Sequence, residues 1–328
     1  MARIFIADLR AGDRLDDQVF LIRTKDLRTT TQGALYIHTI LVDATGQIPA
    51  RMWQATEGQF ESMPDGGFMR FKGRVESYKG NLQFIIDGMQ IVEPGSVDLS
   101  EFLPATDNDV EMMWTRVKEI LRQVKDPHVL ALLAEFVNDE EITRAFLRSP
   151  AAAQLHHAYI GGLVEHTLNV LELALLVMPR YPFVSMDLVL AGVFLHDLAK
   201  TAELTSDTTF SYTNRGQLVG HVVMAAIWIE EKCRAVADKQ GEPFPDEIRD
   251  ALQHIVLAHH GQYEFGSPRL PAMPEAIAVH YLDNIDAKLQ QFQQAIVDDP
   301  DPDSQWTQFV RALNTRVYKG DVLGIRRE

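Results

Sequence analysis

One cysteine, Cys233, stands in the 328 residues. That excludes an intramolecular disulfide and a thiolate metal cluster. Its setting, "IEEKCRAVAD", reads as helix, where a lone thiol packs as a small apolar group. Long apolar runs are missing too: no uninterrupted run reaches the about 18 residues of a membrane span. The opening "MARIFIADLRAGDRL" has no apolar signal core, so the chain is expected to be cytoplasmic and without a membrane partner. Positive charge is in short supply. The net charge of −15 argues at first against a nucleic-acid partner. The deficit is uneven, however: residues 1–95 hold 11 Lys+Arg against 12 Asp+Glu, a net of −1, which leaves −14 downstream. A near-neutral front module can carry a local basic face, and an acidic body can host cations.

What is present is ordinary for a soluble globular protein, with 46% apolar and 23% charged residues, and the length suffices for two domains. Residues 1–95 read as short β-branched and aromatic strands: "VFLIRTKDL", "ALYIHTILVD", "QIPARMW", "FMRFKGRVES" and "LQFIIDGMQIV". Asp43 to Gly46 and Tyr78 to Asn81 read as hairpin turns. Five strands suit a small closed OB-type barrel better than a sandwich, which needs about seven. Residues 96–109 follow as a linker after the break "VEPGS", and residues 110–328 read as all-helical, with a functional core over about 155–290. The fold class is therefore multidomain: a five-stranded β-barrel followed by an all-α domain.

In "FMRFKGRVES", alternation sets Arg70, Lys72 and Arg74 on one face, opposite Met69, Phe71 and Val75. Three cations in a row on an exposed face suit a phosphate backbone, and Tyr36, Trp53, Tyr78 and Phe84 are candidate stacking platforms. A solvated face over an ordinary aromatic core fits the same pattern.

The histidines are concentrated. Nine of 11 fall between His156 and His280. His166, His196, His221, His259 and His260 lie in apolar helical segments, which carry them inward as they bury. A lone histidine on such a face is more often a hydrogen-bonded core residue than a ligand. Five of them with Asp197 and Asp283 on successive helices shift that balance, because a shared divalent cation satisfies all at once. His196 and Asp197, about 100° apart at a helix end, can serve one centre, and the two oxygens of Asp197 can bridge two metals. Without cysteine ligands the site reads as hydrolytic, with open positions, and not as structural zinc.

The ordered set His166, His196-Asp197, His221, His259-His260 and Asp283 resembles the HD-domain metal-dependent phosphohydrolase superfamily. "HHAYIGGLVEHT", "LHDLAK", "LVGHVV", "HHGQYEFGSPRLP" and "YLDNIDAK" after a small barrel are similar to one branch, the YhaM-type 3′→5′ exoribonucleases, which join an N-terminal OB-fold to an HD domain. The resemblance spans about Val19 to Leu289. It implies that His166, His196, Asp197 and Asp283 hold one metal, that His221, His259 and His260 hold a second, and that Asp197 bridges them. It also implies that Lys200 faces a substrate phosphate, as a catalytic group beside Asp197. His157, Glu165, Glu264 and Ser267 fall in the shared motifs without an assigned role, His254 reads as structural, and His280 as a neighbour of the ligands.

The implied activity is a metal-dependent 3′→5′ exoribonuclease acting on single-stranded RNA, with single-stranded DNA as a further substrate. Two divalent ions per chain are expected. Imidazole and carboxylate ligands fit Mn²⁺, Fe²⁺, Co²⁺ or Zn²⁺, and the resemblance favours manganese. Two other readings are open: an HD-type phosphodiesterase on a small nucleotide or cyclic dinucleotide, and a non-catalytic nucleic-acid-binding protein. A homo-oligomer is compatible with such a domain, though no interface is legible.

Overall fold

The computed structural model describes residues 3–64, 66–78, 80–93, 96–152, 157, 159–205, 211–301 and 303–324. Lys79, Pro94, Gly95 and His156, which figure in the turn, linker and motif readings above, lie outside the described residues. The chain divides into two compact units, one over the first 105 residues and one over residues 106–204 and 212–328, with residues 205–211 grouped with the first.

The first unit is a closed barrel of β1 (Arg14–Thr29), β2 (Leu35–Asp43), β3 (Gly46–Trp53), β4 (Phe68–Tyr78) and β5 (Asn81–Ile91), in the order β1-β2-β3-β5-β4. A short helix, α1 (Glu57–Ser62), joins β3 to β4 and starts with a capping box between Thr56 and Gln59. All strand pairs are antiparallel except β3 with β5, and β4 pairs back onto β1 to close the ring. This is the Greek-key order of the OB barrel. Strict alternation along β2 turns Ile37, Thr39, Leu41 and Asp43 inward. The interior is filled by Phe20, Phe71 and Phe84 with aliphatic neighbours. Asp43 pairs with Gly46 and Tyr78 with Asn81, so both expected turns are flanked as read.

The linker reading needs correction. Leu99–Glu101 forms a 3-10 turn, and Phe102 is buried edge-on to Phe68 with ring centroids 4.9 Å apart. An apolar side chain that completes a core holds its segment down, so the barrel unit runs on to about residue 105.

The second unit contains α2 (Val110–Leu121), α3 (Pro127–Val137), α4 (Glu140–Arg148), α5 (Gly162–Val177), α6 (Met186–His196), α7 (Lys200–Glu203), α8 (Asn214–Val219), α9 (His221–Gln240), α10 (Asp246–Ala258) and α11 (Pro274–Val297). Asp109, Asp126, Asp139 and Ser185 cap their helices through side-chain oxygens. Helix α6 is the hub: every residue from Val189 to His196 is buried, so it is apolar all round. Gly192 sets its distance from α10, because a Cβ there would lie 2.6 Å from Cγ2 of Ile255. That close approach brings the C-terminal ends of α6 and α10 together. The stretch Gly162–Arg180 is long and apolar enough to cross a membrane by length and composition, yet half of its window is buried inside the unit.

The expectation of helix to the end of the chain fails at the tail. Trp306–Val310 and Thr315–Tyr318 form a hairpin turned by Asn314 in the left-handed region. The β-branched and aromatic content of "WTQFV" and "TRVY" favours strand, and Asn tolerates positive φ.

Candidate metal centre

Helix ends do most of the positioning. His196 closes α6 and Asp197 is its C-cap, while His259 is the C-cap of α10. Each histidine donates its Nδ1–H to the carbonyl three residues back, at 2.6 Å to Val193 and 2.7 Å to Val256. These bonds satisfy carbonyls that a helix terminus otherwise leaves open. His221 opens α9, whose N-cap Gly220 has no side chain to offer. Glu203 fills that role, accepting the backbone N–H of His221 and its ring Nδ1–H, both at 2.9 Å. His166, in the second turn of α5, donates Nδ1–H to Asp286 at 2.7 Å. In all four rings the Nδ1 bond fixes the tautomer and aims Nε2 at a common centre.

Around that centre the donors fall into two sets that share Asp197. Nε2 of His166 lies 3.3 Å from Nε2 of His196, 3.3 Å from Oδ1 of Asp283 and 3.7 Å from Oδ2 of Asp197. His196 Nε2 is 3.3 Å from the same Asp197 oxygen and 3.9 Å from Asp283. The other oxygen, Oδ1 of Asp197, faces Nε2 of His221 at 3.4 Å and of His259 at 3.7 Å. His260 joins this second set, its ring centroid 4.2 Å from that of His259 and 5.3 Å from that of His221.

The fit to a metal can be tested on these atoms. Ligands held at about 2.0–2.2 Å from one ion stand roughly 3–3.5 Å from each other, and the first set is spaced that way, a few tenths of an ångström loose. The second observation concerns satisfaction. Oδ1 of Asp197, Nε2 of His221 and Nδ1 of His260 are buried without a hydrogen-bond partner. Three orphaned polar atoms in one buried pocket carry a desolvation cost of about 1–3 kcal/mol each, which a cation removes. The donor set fits divalent ions bound by imidazole and carboxylate.

Electrostatics divides the two sets. Burial, reinforced by His260, holds His259 well below the ordinary histidine value, and burial with His221 lowers His260 to about 4. Both rings are neutral at pH 7 and open to a metal. Burial alone would also lower His166, but Asp283 and Asp286 outweigh it and raise His166 to about 9. Burial would raise Asp197, yet Lys200 and His196 hold its carboxyl well below the usual range. Without metal, therefore, a proton on His166 balances the first set. Metal uptake at pH 7 is expected to release about one proton per chain, and affinity should strengthen as pH rises towards 9, where the proton no longer competes. Titration with Mn²⁺ in a weak indicator buffer reads the release; an uptake that is independent of pH between 6 and 9 contradicts it.

The expected ligands His166, His196, Asp197, His221, His259, His260 and Asp283 all converge here. Lys200 is beside them, its Nζ 2.7 Å from Oδ2 of Asp197, an oxygen of the first set. Two further carboxylates, Asp286 and Glu203, were not singled out. Asp286 also accepts from His157 Nε2 at 3.0 Å and from Asn169 Nδ2 at 3.1 Å. Its signal was available: it lies three residues after Asp283 on the same face of α11. Glu203 had no comparable signal. Glu165 receives bonds from Thr106 and Asn108 and ties that segment to α5. His254 accepts from the Ala272 N–H at 2.9 Å, and His280 donates to the His259 carbonyl at 2.7 Å.

On the barrel, the cationic stripe is not free. Arg70 pairs with Asp17 at 2.7 Å, Lys72 with Asp16 at 3.3 Å, and Arg74 with Glu76 and Asp87 at 2.9 and 3.0 Å. Phe84, a candidate platform, is in the barrel core instead, 1% exposed, because its position on β5 points inward. Tyr36 and Tyr78 belong to a different surface group. Tyr36 lies opposite Trp53 with ring centroids 5.0 Å apart, and the Arg51 guanidinium is 5.9 Å from the Trp53 ring and 5.8 Å from that of Tyr78.

Solved structures similar to part of the chain include the second OB-fold domain of replication protein A from Methanococcus maripaludis, at 18% identity over 28% of this chain and 96% of that one, TM-score 0.23. Another is the PriB protein of Ralstonia solanacearum, at 18% identity over 25% of this chain and 100% of that one, TM-score 0.22. The OB assignment rests on the strand order of the barrel. Residues 163–288, which carry every metal-facing donor but none of the barrel, match the family model of the HD domain. The chain thus joins an OB-type barrel to a helical unit that matches the HD domain and carries His/Asp clusters able to hold metal ions.

Proposed function

We propose that the protein is a metal-dependent 3′→5′ exoribonuclease that shortens single-stranded RNA, and accepts single-stranded DNA, with two divalent ions per chain and manganese as the preferred metal. The observation that carries this reading is the division of Asp197, with one oxygen toward each set of imidazole nitrogens. A single carboxylate placed between two donor sets suits a pair of ions, and a pair of ions suits phosphodiester hydrolysis.

When bound, divalent ions bring the pKa of a water from about 15.7 towards neutrality and share the charge of the phosphate. The protein's own groups do the rest. His166, His196, Asp197 and Asp283 supply the first set, and His221, His259 and His260 join Asp197 in the second. Lys200 keeps its proton, because Asp197 offsets the loss of hydration on burial. It therefore contributes a fixed positive charge at the rim, where it can meet a phosphate oxygen. Polarity of digestion and the choice of RNA come from the family resemblance.

The barrel would grip the strand. Trp53 and Tyr78 are 45% and 53% exposed with Arg51 between them, a combination that can stack bases and meet a phosphate. Arg70, Lys72 and Arg74, each paired with a carboxylate, have less charge to give. Replacing all three with Ala is expected to reduce the log–log salt slope of RNA binding by well under the roughly 2 that three free cations would contribute. Changing Arg51 and Trp53 to Ala should instead weaken binding by about tenfold or more. Filter binding at four salt concentrations decides; a slope change of 2 in the triple variant restores the stripe as the main contact.

The reading as a whole is tested by incubating the protein, with Mn²⁺ or with chelator, on end-labelled RNA, labelled single-stranded DNA and cyclic dinucleotides. Metal-dependent removal of single nucleotides from the 3′ end of RNA supports it. Cleavage of cyclic dinucleotides alone would select the small-substrate phosphodiesterase, and binding without cleavage the non-catalytic reading.

A further inference from the structure

The segment that follows His259-His260, "GQYEFGSPRLP", has no part in the site described so far. It leaves α10 at Gly261, in the left-handed region, packed so closely on His280 that a Cβ would lie 2.2 Å from the ring. A 3-10 turn, Tyr263–Phe265, then closes at Gly266, also left-handed, whose Cβ position is 3.9 Å from Nδ1 of His260. With consecutive Cα atoms about 3.8 Å apart, Phe265 begins within about 9 Å of that nitrogen.

The segment is firmly braced. Ser267 is buried, its N–H bonded to the Gln262 carbonyl at 3.2 Å and its hydroxyl within 3.1 Å of the Leu257 carbonyl. Further along, the Ala272 N–H is held by His254. Yet Tyr263 and Phe265 stand 62% and 63% exposed. Single exposed aromatics need no explanation. Two on one turn of a tied-down loop, beside buried metal-facing donors, are another matter. Arg269 adds a cation: it is exposed, and no carboxylate pairs with it among the described residues, unlike Arg70, Lys72 and Arg74 on the barrel. Aromatic faces stack on any base, and a cation on the same segment can meet a backbone phosphate.

We propose that Tyr263 and Phe265, with Arg269, form a stacking platform for the terminal bases of a single strand, at the mouth of the metal centre. The platform rests on the nuclease reading above and adds to it a place where the strand end is held, separate from the barrel. A rigid platform costs no ordering on binding, which is why bracing and exposure occur together.

The test uses the full chain and an RNA 12-mer with 2-aminopurine at its 3′ end. In chelator, wild-type protein is expected to quench the 2-aminopurine at least twofold, because stacking is what quenches it. The Tyr263→Ala, Phe265→Ala double variant should lose most of that quench, and Tyr263→Phe should keep it. With Mn²⁺, each Ala variant should raise KM about tenfold with a smaller change in kcat, and the wild-type preference for a base-bearing over an abasic 3′ end should collapse in the double variant. Mn²⁺ content per chain verifies the fold. If the double variant fails to hold metal, Phe265→Leu, apolar but without a ring, takes its place. Cleavage and quench indistinguishable from wild type overturn the platform and leave the nuclease reading standing. A wild type that neither quenches nor cleaves defeats the nuclease reading, and the platform with it.

Discussion

Replacing Asp197 with Ala is expected to abolish hydrolysis and to lower the metal content of both sets at once. The residue is 3% exposed, and its carboxylate faces His166, His196, His221, His259 and Lys200. With the carboxylate gone, the second set consists of three imidazoles with no anion to balance a dication. The first set keeps only Asp283 as an anion. Asp197→Asn separates charge from shape, because the amide retains one acceptor and the same volume. It should hold metal poorly and be nearly as inactive. The comparison is metal per chain, by elemental analysis, with turnover of labelled RNA on the same sample and circular dichroism as the check on folding. Residual activity above about a tenth of wild type, a barrier change of less than about 1.4 kcal/mol, would show that the bridge is not used.

How far this centre could be read before the fold was known depends on the kind of residue. The histidines were legible because imidazoles inside apolar helical runs are uncommon, and five of them in order leave few alternatives. Asp197 and Asp283 were legible through the same motifs. Glu203 was not: a carboxylate at the end of a four-residue helix looks like any surface glutamate, and only the turn of the chain into α9 puts it under His221. Asp286 was missed although its spacing from Asp283 offered a signal, and spacing alone does not tell a ligand from the group that orients one.

The barrel shows the same boundary. Period-two alternation identified its strands and placed Arg70, Lys72 and Arg74 on one face of β4. It did not reveal that Asp16 and Asp17 on β1 lie across from that face, because strand pairing over more than fifty residues is set by closure of the barrel. The same long-range closure sends Phe84 inward. The tail hairpin was missed for another reason: its two strands are four and five residues long, too short for a period to register beside the long helix before them.

Asp286 supplies the second large effect. Its Oδ2 accepts from both His166 and His157, and its Oδ1 from Asn169, so it anchors three side chains while itself buried. The hydrogen bonds from His157 and His166 outweigh burial and hold it ionised. Asp286→Ala removes the acceptor that keeps the proton on Nδ1 of His166, and the ring is then free to place its N–H on the metal-facing side. Metal affinity of the first set should fall by about 10- to 100-fold, the usual cost of losing such a partner, and kcat at limiting Mn²⁺ should fall with it. Raising Mn²⁺ should recover much of the rate, which a collapsed site would not permit. Asp286→Asn gives a graded result, because its amide oxygen can still accept from His166 if Asn169 turns its own oxygen to the new NH₂ group. His157→Ala, which leaves the His166 bond intact, should cost less than either. Isothermal titration of the metal-free variants with Mn²⁺ ranks them. An Asp286→Ala protein that binds manganese as tightly as wild type would mean that the orientation of His166 is set by its helix, and that Asp286 serves only to pack α11 against α5.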